Sequence, residues 1–414
     1  MFPVVYKHLL EERLSGLEFG YYSPTSKPAE IMDYGPIKAL PETVESVEFE
    51  EDALILCGGE TLWIGHSSGT YNFPRSTLSA FARLWLGPTV AASRGSIDFF
   101  VHSAGAPHAR LEVPAGVVGA LSSATGVSVR DEVTARRLGN RFSVQVDPIF
   151  ALSTILTPQQ WEREVQKWLP EGFAANRYLV AHVSAPYLMN DLRDWCEQVA
   201  DVAKNHKMPI LMVPVCHFMD DHYTLETARQ ILIATGVDAR QIQSPPDQSR
   251  SVIATAALLG MSGGVITSSL HACVTAAAFG TPFAGYAGKD QEDGKHRQTL
   301  LAAGIDYGIA RDMLSIATTF ADSVRRNREA VRQKASALAL QGIDQLADKL
   351  AIRHEQARSL SQEAIDAVLL HDTAPTRQLH WETKRTILRW LQKSDFLAKL
   401  LVSRHRARLR RGVF

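Results

Sequence analysis

The chain of 414 residues is 45% hydrophobic and 21% charged, with 44 basic and 44 acidic side chains. It is too long for one typical domain and suits two, with enough apolar residues for sizeable cores. Zero net charge argues against a general nucleic-acid binder, and four scattered cysteines without a Cys-x-x-Cys argue against a disulfide framework or zinc site. The opening residues Met1–Leu10 read as a helix. Charges at Lys7, Glu11, Glu12 and Arg13 interrupt it, so no signal peptide is expected. From about residue 52, apolar strands alternate with helices. Ala53–Cys57, Ile97–Val101, Val127–Val129 and Ser143–Val146 are the expected strands of a first sheet. Helices around Arg75–Trp85 and Asp131–Leu138 lie between them. Trp161, Val165 and Trp168 at helical spacing make Leu156–Pro170 a helix bridging to a second unit.

That second unit has expected strands at Tyr178–Val183, Ile210–Val215, Gln241–Gln243, Val265–Ser268 and Phe283–Tyr286. Helices Leu192–Asn205, Thr224–Thr235 and Ser249–Leu259 intervene. Such alternation implies parallel sheets covered on both faces. After about residue 311 the strand signals stop. Residues 316–368 hold almost no Gly or Pro and read as one or two long helices. The tail from Trp381 to Arg411 is helical and basic, with Asp395 its single acid after Lys384. It suits either an anionic membrane surface or packing on the body with a frayed end, and both readings stay open. No uncharged apolar run reaches the length of a membrane span. The expected division is an N-terminal α/β unit over 1–170, a second over 171–312 and a helical extension over 313–414. A reducing, cytoplasmic setting follows, with peripheral contact at the inner membrane face if the tail binds lipid.

The stretch from Gly263 to Phe283 carries the most chemistry. Val265, Ile266 and Thr267 suit a buried strand, Ser268 or Ser269 can cap the next helix, and Gly280 with Pro282 ends it. His271 then lies in the first helical turn, at the strand edge where α/β sheets bind ligands. A helix start there favours an anion. The competing reading is a histidine bonded within its own helix start. Gly58-Gly59 ends an expected strand, as a ligand approach or a plain turn, and Glu60 beside it is a candidate base. His102 and His108 flank a loop after Ile97–Val101, so at least one is expected near a cleft. His217, Asp220, Asp221 and His222 resemble a metal cluster, but helix capping by Asp221 is the preferred reading, and no metal is assigned.

Four segments in order resemble one family, the polysaccharide pyruvyl transferases. Asp52-Ala-Leu-Ile-Leu-Cys-Gly58-Gly59 is similar to its aspartate, apolar strand and Gly-Gly turn. Ser128-Val-Arg130-Asp131 with Leu138 is similar to its arginine-aspartate segment, and Asp147-Pro148 to the pair that closes its first domain. Ser268-Ser269-Leu270-His271-Ala272, Gly280-Thr-Pro282 and Tyr286-Ala-Gly-Lys289 follow its serine-arginine-leucine-histidine-alanine frame. The similarity spans roughly residues 50 to 310. It implies a GT-B-like pair of doubly wound Rossmann-type domains facing across a cleft. There are two departures. Ser269 stands where the family has an arginine thought to hold an acidic group of the donor. The chain also opens on a helix where family members have a strand and an Asn-x-Gly-Asp turn, so the start is truncated or that strand is lost.

The resemblance implies transfer of a carboxyethylidene group from phosphoenolpyruvate to two sugar hydroxyls. The acceptor is a glycan or lipid-linked oligosaccharide, no cofactor is needed, and the product is a cyclic ketal with phosphate released. The donor is a small trianion, and its methylene carbon must gain a proton. His271 is the expected acid, since only histidine titrates near neutrality unperturbed. Arg130 is the expected clamp for carboxylate or phosphate, against the alternative of a salt bridge with Asp131 or Glu132. Ser268, Ser269, Leu270 and Lys289 complete the expected donor site, with Lys295, His296 and Arg297 nearby. Gly58, Gly59, Glu60 and His108 form the acceptor side. Two other classes stay open: a GT-B-type transferase using another donor such as a nucleotide sugar, and a non-catalytic glycan-binding relative.

Overall fold

The computed structural model describes residues 1–352 apart from 24–28, 34, 42–47, 60, 63–79, 95–96, 107–112, 114, 185–191, 216–220, 248–250 and 289–293. Helix α1 (Phe2–Glu11) carries Pro3 in its first turn, where a missing N–H costs nothing, and buries Val4, Val5, Tyr6, Leu9 and Leu10. Three short strands follow: β1 (Tyr22–Ser23), β2 (Ala29–Ile31) and β3 (Gly35–Ala39), in the order β1-β3-β2. The sequence reading expected no strand there. Only two to five residues long, they lack the run of alternating apolar residues that marks a strand in sequence.

The first large sheet has four parallel strands, β4 (Ala53–Cys57), β5 (Asp98–Ala104), β6 (Gly126–Val129) and β7 (Ser143–Val144), neighbours in that order. Between them run α2 (Ala80–Ser93), α3 (Ala115–Ser123) and α4 (Glu132–Arg137). The four expected strands are thus present with shifted ends. The first helix runs past the expected Arg75–Trp85 to Ser93, and residues 75–79 lie outside the described residues. Asp131 caps α4 by accepting the Thr134 N–H at 2.8 Å. A 3-10 segment (Pro148–Thr154) leads to α5 (Pro158–Trp168), which starts on a reciprocal Thr157–Gln160 capping box. Trp161 is buried there with its indole N–H on the Ser153 carbonyl, which makes it a core residue.

The second sheet has β8 (Leu179–His182), β9 (Ile210–Met212), β10 (Ile242–Gln243), β11 (Gly264–Thr267) and β12 (Phe283–Gly285). All pairs are parallel, in the order β10-β9-β8-β11-β12. The helices are α6 (Leu192–His206), α7 (Asp221–Ala234), α8 (Val252–Gly260), α9 (Leu270–Phe279) and α10 (Lys295–Ala302). The strand order reverses between β8 and β11, and the crevice beyond the carboxyl ends of such a pair is where doubly wound sheets bind ligands. Two helices close the described chain, α11 (Ile316–Arg325) and α12 (Arg328–Ala351). Residues 381–411 lie outside the described residues. No helix among the described residues is long and apolar enough to cross a membrane.

One apolar cluster joins the inner faces of both sheets. It takes Phe100 from β5, Val180 from β8, Val265 from β11 and Phe283 from β12, with α1, the 3-10 segment, α9 and α12 packed between. A second cluster, with Phe99 and Val101, covers the other face of the first sheet. A third, with Leu179, Ile210 and Ile266, covers the other face of the second. Alternate residues of each strand thus enter different cores, as period-two geometry requires. This is the expected α/β, GT-B-like pair of parallel sheets with a helical C-terminal segment.

Candidate active site

Strand β11 is buried along its length and delivers the Ser268–His271 turn to the sheet's carboxyl edge. Ser268 is buried, and its Oγ accepts the Ser184 N–H at 2.9 Å, tying the ends of β8 and β11 together at the switch point. Ser269 caps α9: its Oγ accepts the Ala272 N–H, while its own N–H donates to Thr267 Oγ1 at 2.9 Å. Leu270 buries its side chain, so what it can offer a ligand is main chain. Helix α9 is built of small buried residues, which let it pack closely, and it stops at Gly280 in the left-handed region (φ 70°).

His271 stands on the first turn of α9, its side chain 34% exposed. Its Nε2 lies 3.9 Å from Asp147 Oδ2, and the Phe2 ring meets the imidazole edge to face at 5.2 Å. Asp147 is fully buried and opens the 3-10 segment, with Oδ1 accepting the Ile149 N–H at 3.0 Å. Its Oδ2 has no hydrogen-bond partner among the described residues. Burial pushes this carboxyl up to about 6, against the opposing pull of Arg130 and the Ile149 N–H.

Arg130 follows β6 and is fully buried. Its main-chain N–H donates to the Ala104 carbonyl at 3.0 Å, but among the described residues none of its side-chain nitrogens has a hydrogen-bond partner. Asp131 Oδ2 is 3.7 Å from Nε, a loose ion pair. The guanidinium lies against Gly105, where any side chain would collide with it. Gly58 and Gly59 end β4 with φ of 50° and 73°, and a side chain on Gly58 would strike the Phe2 ring. Of His102 and His108, only His102 is among the described residues. His102 does not reach a cleft: it is buried, bonded to the Tyr6 hydroxyl and to the Gly342 carbonyl at 3.2 Å. Burial lowers it to about 4. Asp221 opens α7, and its Oδ2 accepts from His182 Nε2 at 2.8 Å and from the Val215 N–H at 3.3 Å. It ties β8 to the loop after β9, and residues 216–220 before it lie outside the described residues.

The structure thus brings Arg130, Asp147 and His271 together, with Gly58 and Phe2 beside them. His296 joins from α10, buried under the Ser268 carbonyl at 3.3 Å, and α10 also touches α4. Glu60, His108, Lys289, His217 and Asp220 lie outside the described residues, and His222 is exposed. Among the described residues no three His, Cys, Asp or Glu side chains are grouped to hold a metal ion. Asp147 is a site residue that the sequence marks only weakly. Its signal is an aspartate directly after a strand at a carboxyl edge, which reads equally well as a turn. His182 is another weakly marked residue, and its signal is one polar residue inside the buried run Tyr178–Val183.

A family model for polysaccharide pyruvyl transferase matches residues 4–290. A search of curated proteins found no match. Among solved structures the chain is similar to UDP-GlcNAc 2-epimerase from Methanocaldococcus jannaschii, with 10% identity, TM-score 0.45, and coverage of 67% of this chain and 72% of that one. UDP-GlcNAc 2-epimerase from Neisseria meningitidis, bound to UDP-GlcNAc, gives 11%, 0.45, 73% and 75%. A UDP-forming alpha,alpha-trehalose-phosphate synthase from Burkholderia vietnamiensis gives 14%, 0.40, 65% and 70%.

Proposed function

Because the chain belongs to the polysaccharide pyruvyl transferase family, we propose that it moves a pyruvyl group from phosphoenolpyruvate to two hydroxyls of a sugar in a cell-surface glycan precursor. The observation that carries this reading is Arg130. A guanidinium cannot shed its proton, and burying it without hydrogen-bond partners costs several kcal/mol, as a rule about 3–5. Such a group is matched by an anion with a planar, two-oxygen face, and the donor's carboxylate is one.

In this reading the donor lies between a unit over 1–170 and a unit over 171–312. Its carboxylate meets Arg130. Its phosphate meets the positive end of α9 at Ser268, Ser269 and Leu270, with Lys289 as further counter-charge. His271 delivers a proton to the methylene carbon as the first sugar hydroxyl bonds to the adjacent carbon. That hydroxyl's proton passes to a base, for which Glu60 is the candidate beside Gly58 and Gly59, with His108 on the same acceptor side. The second hydroxyl then displaces phosphate and closes the ketal. Of the two hydroxyl protons, one is accounted for on the new methyl group and the other leaves with phosphate. The basic stretch 381–411 is assigned to an anionic membrane face, where a lipid-linked acceptor is displayed.

Ser269 in place of the family's arginine favours a second reading, a GT-B-type transferase with another donor such as a nucleotide sugar. Thermal unfolding with each ligand separates the two, since a ligand bound only by the folded chain raises the midpoint by mass action. Phosphoenolpyruvate is expected to raise it and UDP-sugars to leave it unchanged. The reverse result moves the assignment to the second reading.

A further inference from the structure

Asp147 has no task in the pyruvyl-transfer scheme, yet it is the group that links the other two. It is fully buried, and its Oδ2 has no hydrogen-bond partner among the described residues while lying 3.9 Å from His271 Nε2. Three groups face it from three elements. Arg130, after β6, favours its charged form; His271 faces it from α9; and the Tyr6 hydroxyl faces it from α1, already engaged with His102 Nδ1. Asp131, beside Arg130, uses Oδ1 to cap α4 and leaves the guanidinium at 3.7 Å from Oδ2. The guanidinium therefore favours the ionised form of Asp147 against its burial, while its own nearest carboxylate oxygen stands at 3.7 Å.

An anion seated on Arg130 cancels that cation. Its own negative charge also acts on both remaining groups in a low-dielectric pocket, where both come to hold a proton more tightly. We propose that Asp147 is the proton-holding partner of His271, and that binding of an anionic donor at Arg130 draws one proton from solvent onto the Asp147–His271 pair. The pair is charged with its proton when the donor is present, and the proton it gives to the methylene carbon is made good over the cycle by the one that the base takes from the first acceptor hydroxyl. The identity of the anion rests on the pyruvyl-transfer reading; the coupling rests on the buried Asp147 carboxyl standing 3.9 Å from His271 Nε2 and on the pull that Arg130 exerts on its charge. Asp147 is thus a positioning residue, acting through His271.

The test is titration calorimetry of phosphoenolpyruvate into the full chain, in buffers of different ionisation enthalpy, at several pH values from 6 to 8. The buffer dependence counts protons taken up on binding. Asp147→Asn keeps an oxygen for the Ile149 N–H, and its fold is checked by circular dichroism. The native count minus the variant count cancels the ligand's own titration. We expect the native chain to take up more protons than Asp147→Asn at the same pH. Its affinity should fall by up to about tenfold per pH unit above neutrality, the slope of one linked proton, while that of the variant stays flatter. Equal counts in the two chains overturn the inference. If Asp147→Asn does not fold, His271→Gln removes the other half of the pair and must lower the count likewise. If phosphoenolpyruvate fails to bind the native chain, the donor reading falls, and the same titration with sulfate, which does not titrate near neutrality, tests the coupling alone. Sulfate binding without proton uptake, or no binding of either anion, overturns the coupling.

Discussion

His271 is about a third exposed and rests against Phe2, at a helix start where a short side chain is tolerated. His271→Ala should therefore abolish turnover, read as phosphate release from phosphoenolpyruvate with a glycan pool, while changing stability by about 1 kcal/mol or less. Normal turnover, or an unfolded variant, makes the histidine structural. Asp147 gives a second prediction. Its carboxyl sits near 6 in the folded chain against an ordinary 3.8, so between about pH 4 and 6 the folded chain holds more protons than the unfolded one. The group's contribution to stability then falls as pH rises through that window. Two units at 1.36 kcal/mol each are about 3 kcal/mol. The stability of Asp147→Asn relative to native should thus be about 3 kcal/mol better at pH 7 than at pH 3, by urea unfolding. His102, displaced the other way, is present in both chains and drops out of the comparison. At this scale the sequence made His271 and Arg130 legible, because each follows directly from a strand-to-helix turn. It hid Asp147, whose meaning depends on a histidine on the other sheet. It could not say which of His102 and His108 is buried, because the partners of His102, Tyr6 and Gly342, come from opposite ends of the described chain.

Elements with strong local signals were readable. The strands of both large sheets fell where β-branched and apolar runs put them, and the stop of α9 at Gly280 followed from glycine's freedom at positive φ. The β1–β3 hairpin region was not readable, since two- to five-residue strands carry no period. It nevertheless fixes the second sheet. Asp33, next to β2, accepts the Val252 and Ile253 main-chain N–H groups and the Ser251 hydroxyl, so it seats a carboxylate on the start of α8. Ser251 caps the same helix through the Ala254 N–H. With one of two caps removed, Asp33→Ala should lower stability by about 1 kcal/mol. An unchanged unfolding midpoint would mean that the contact contributes nothing.

At the scale of the molecule, the two sheets are held by a shared core rather than by a linker alone. Helix α12 runs back from the second sheet to the first, where Gly342 receives His102, Gln345 receives the Gln145 amide at 2.6 Å, and Asp344 meets Arg13 at 2.5 Å. Sequence composition predicted the helix but not its return, because a helix pattern does not say which partner its apolar face finds. Gly342 is a helix-interior glycine at which a methyl group would meet only ordinary contacts with His102 and Gln145, at 3.5 and 3.6 Å. Gly342→Ala should therefore stabilise by roughly 0.5–1 kcal/mol through helix propensity. A destabilised variant would show that the seam between α12 and the first sheet has no room to spare.

The shared core brings Arg130 of the first sheet and His271 of the second to the same buried carboxylate, Asp147, and the central claim is that phosphoenolpyruvate binds there. Calorimetric titration of phosphoenolpyruvate into the native chain and into Arg130→Gln tests it most directly. The native chain should bind, and the variant should lose roughly 1.5–3 kcal/mol, about 10- to 150-fold in affinity, the usual value of a hydrogen bond to a charged group. Equal binding by the two chains, or binding of a UDP-sugar where phosphoenolpyruvate gives none, would contradict it.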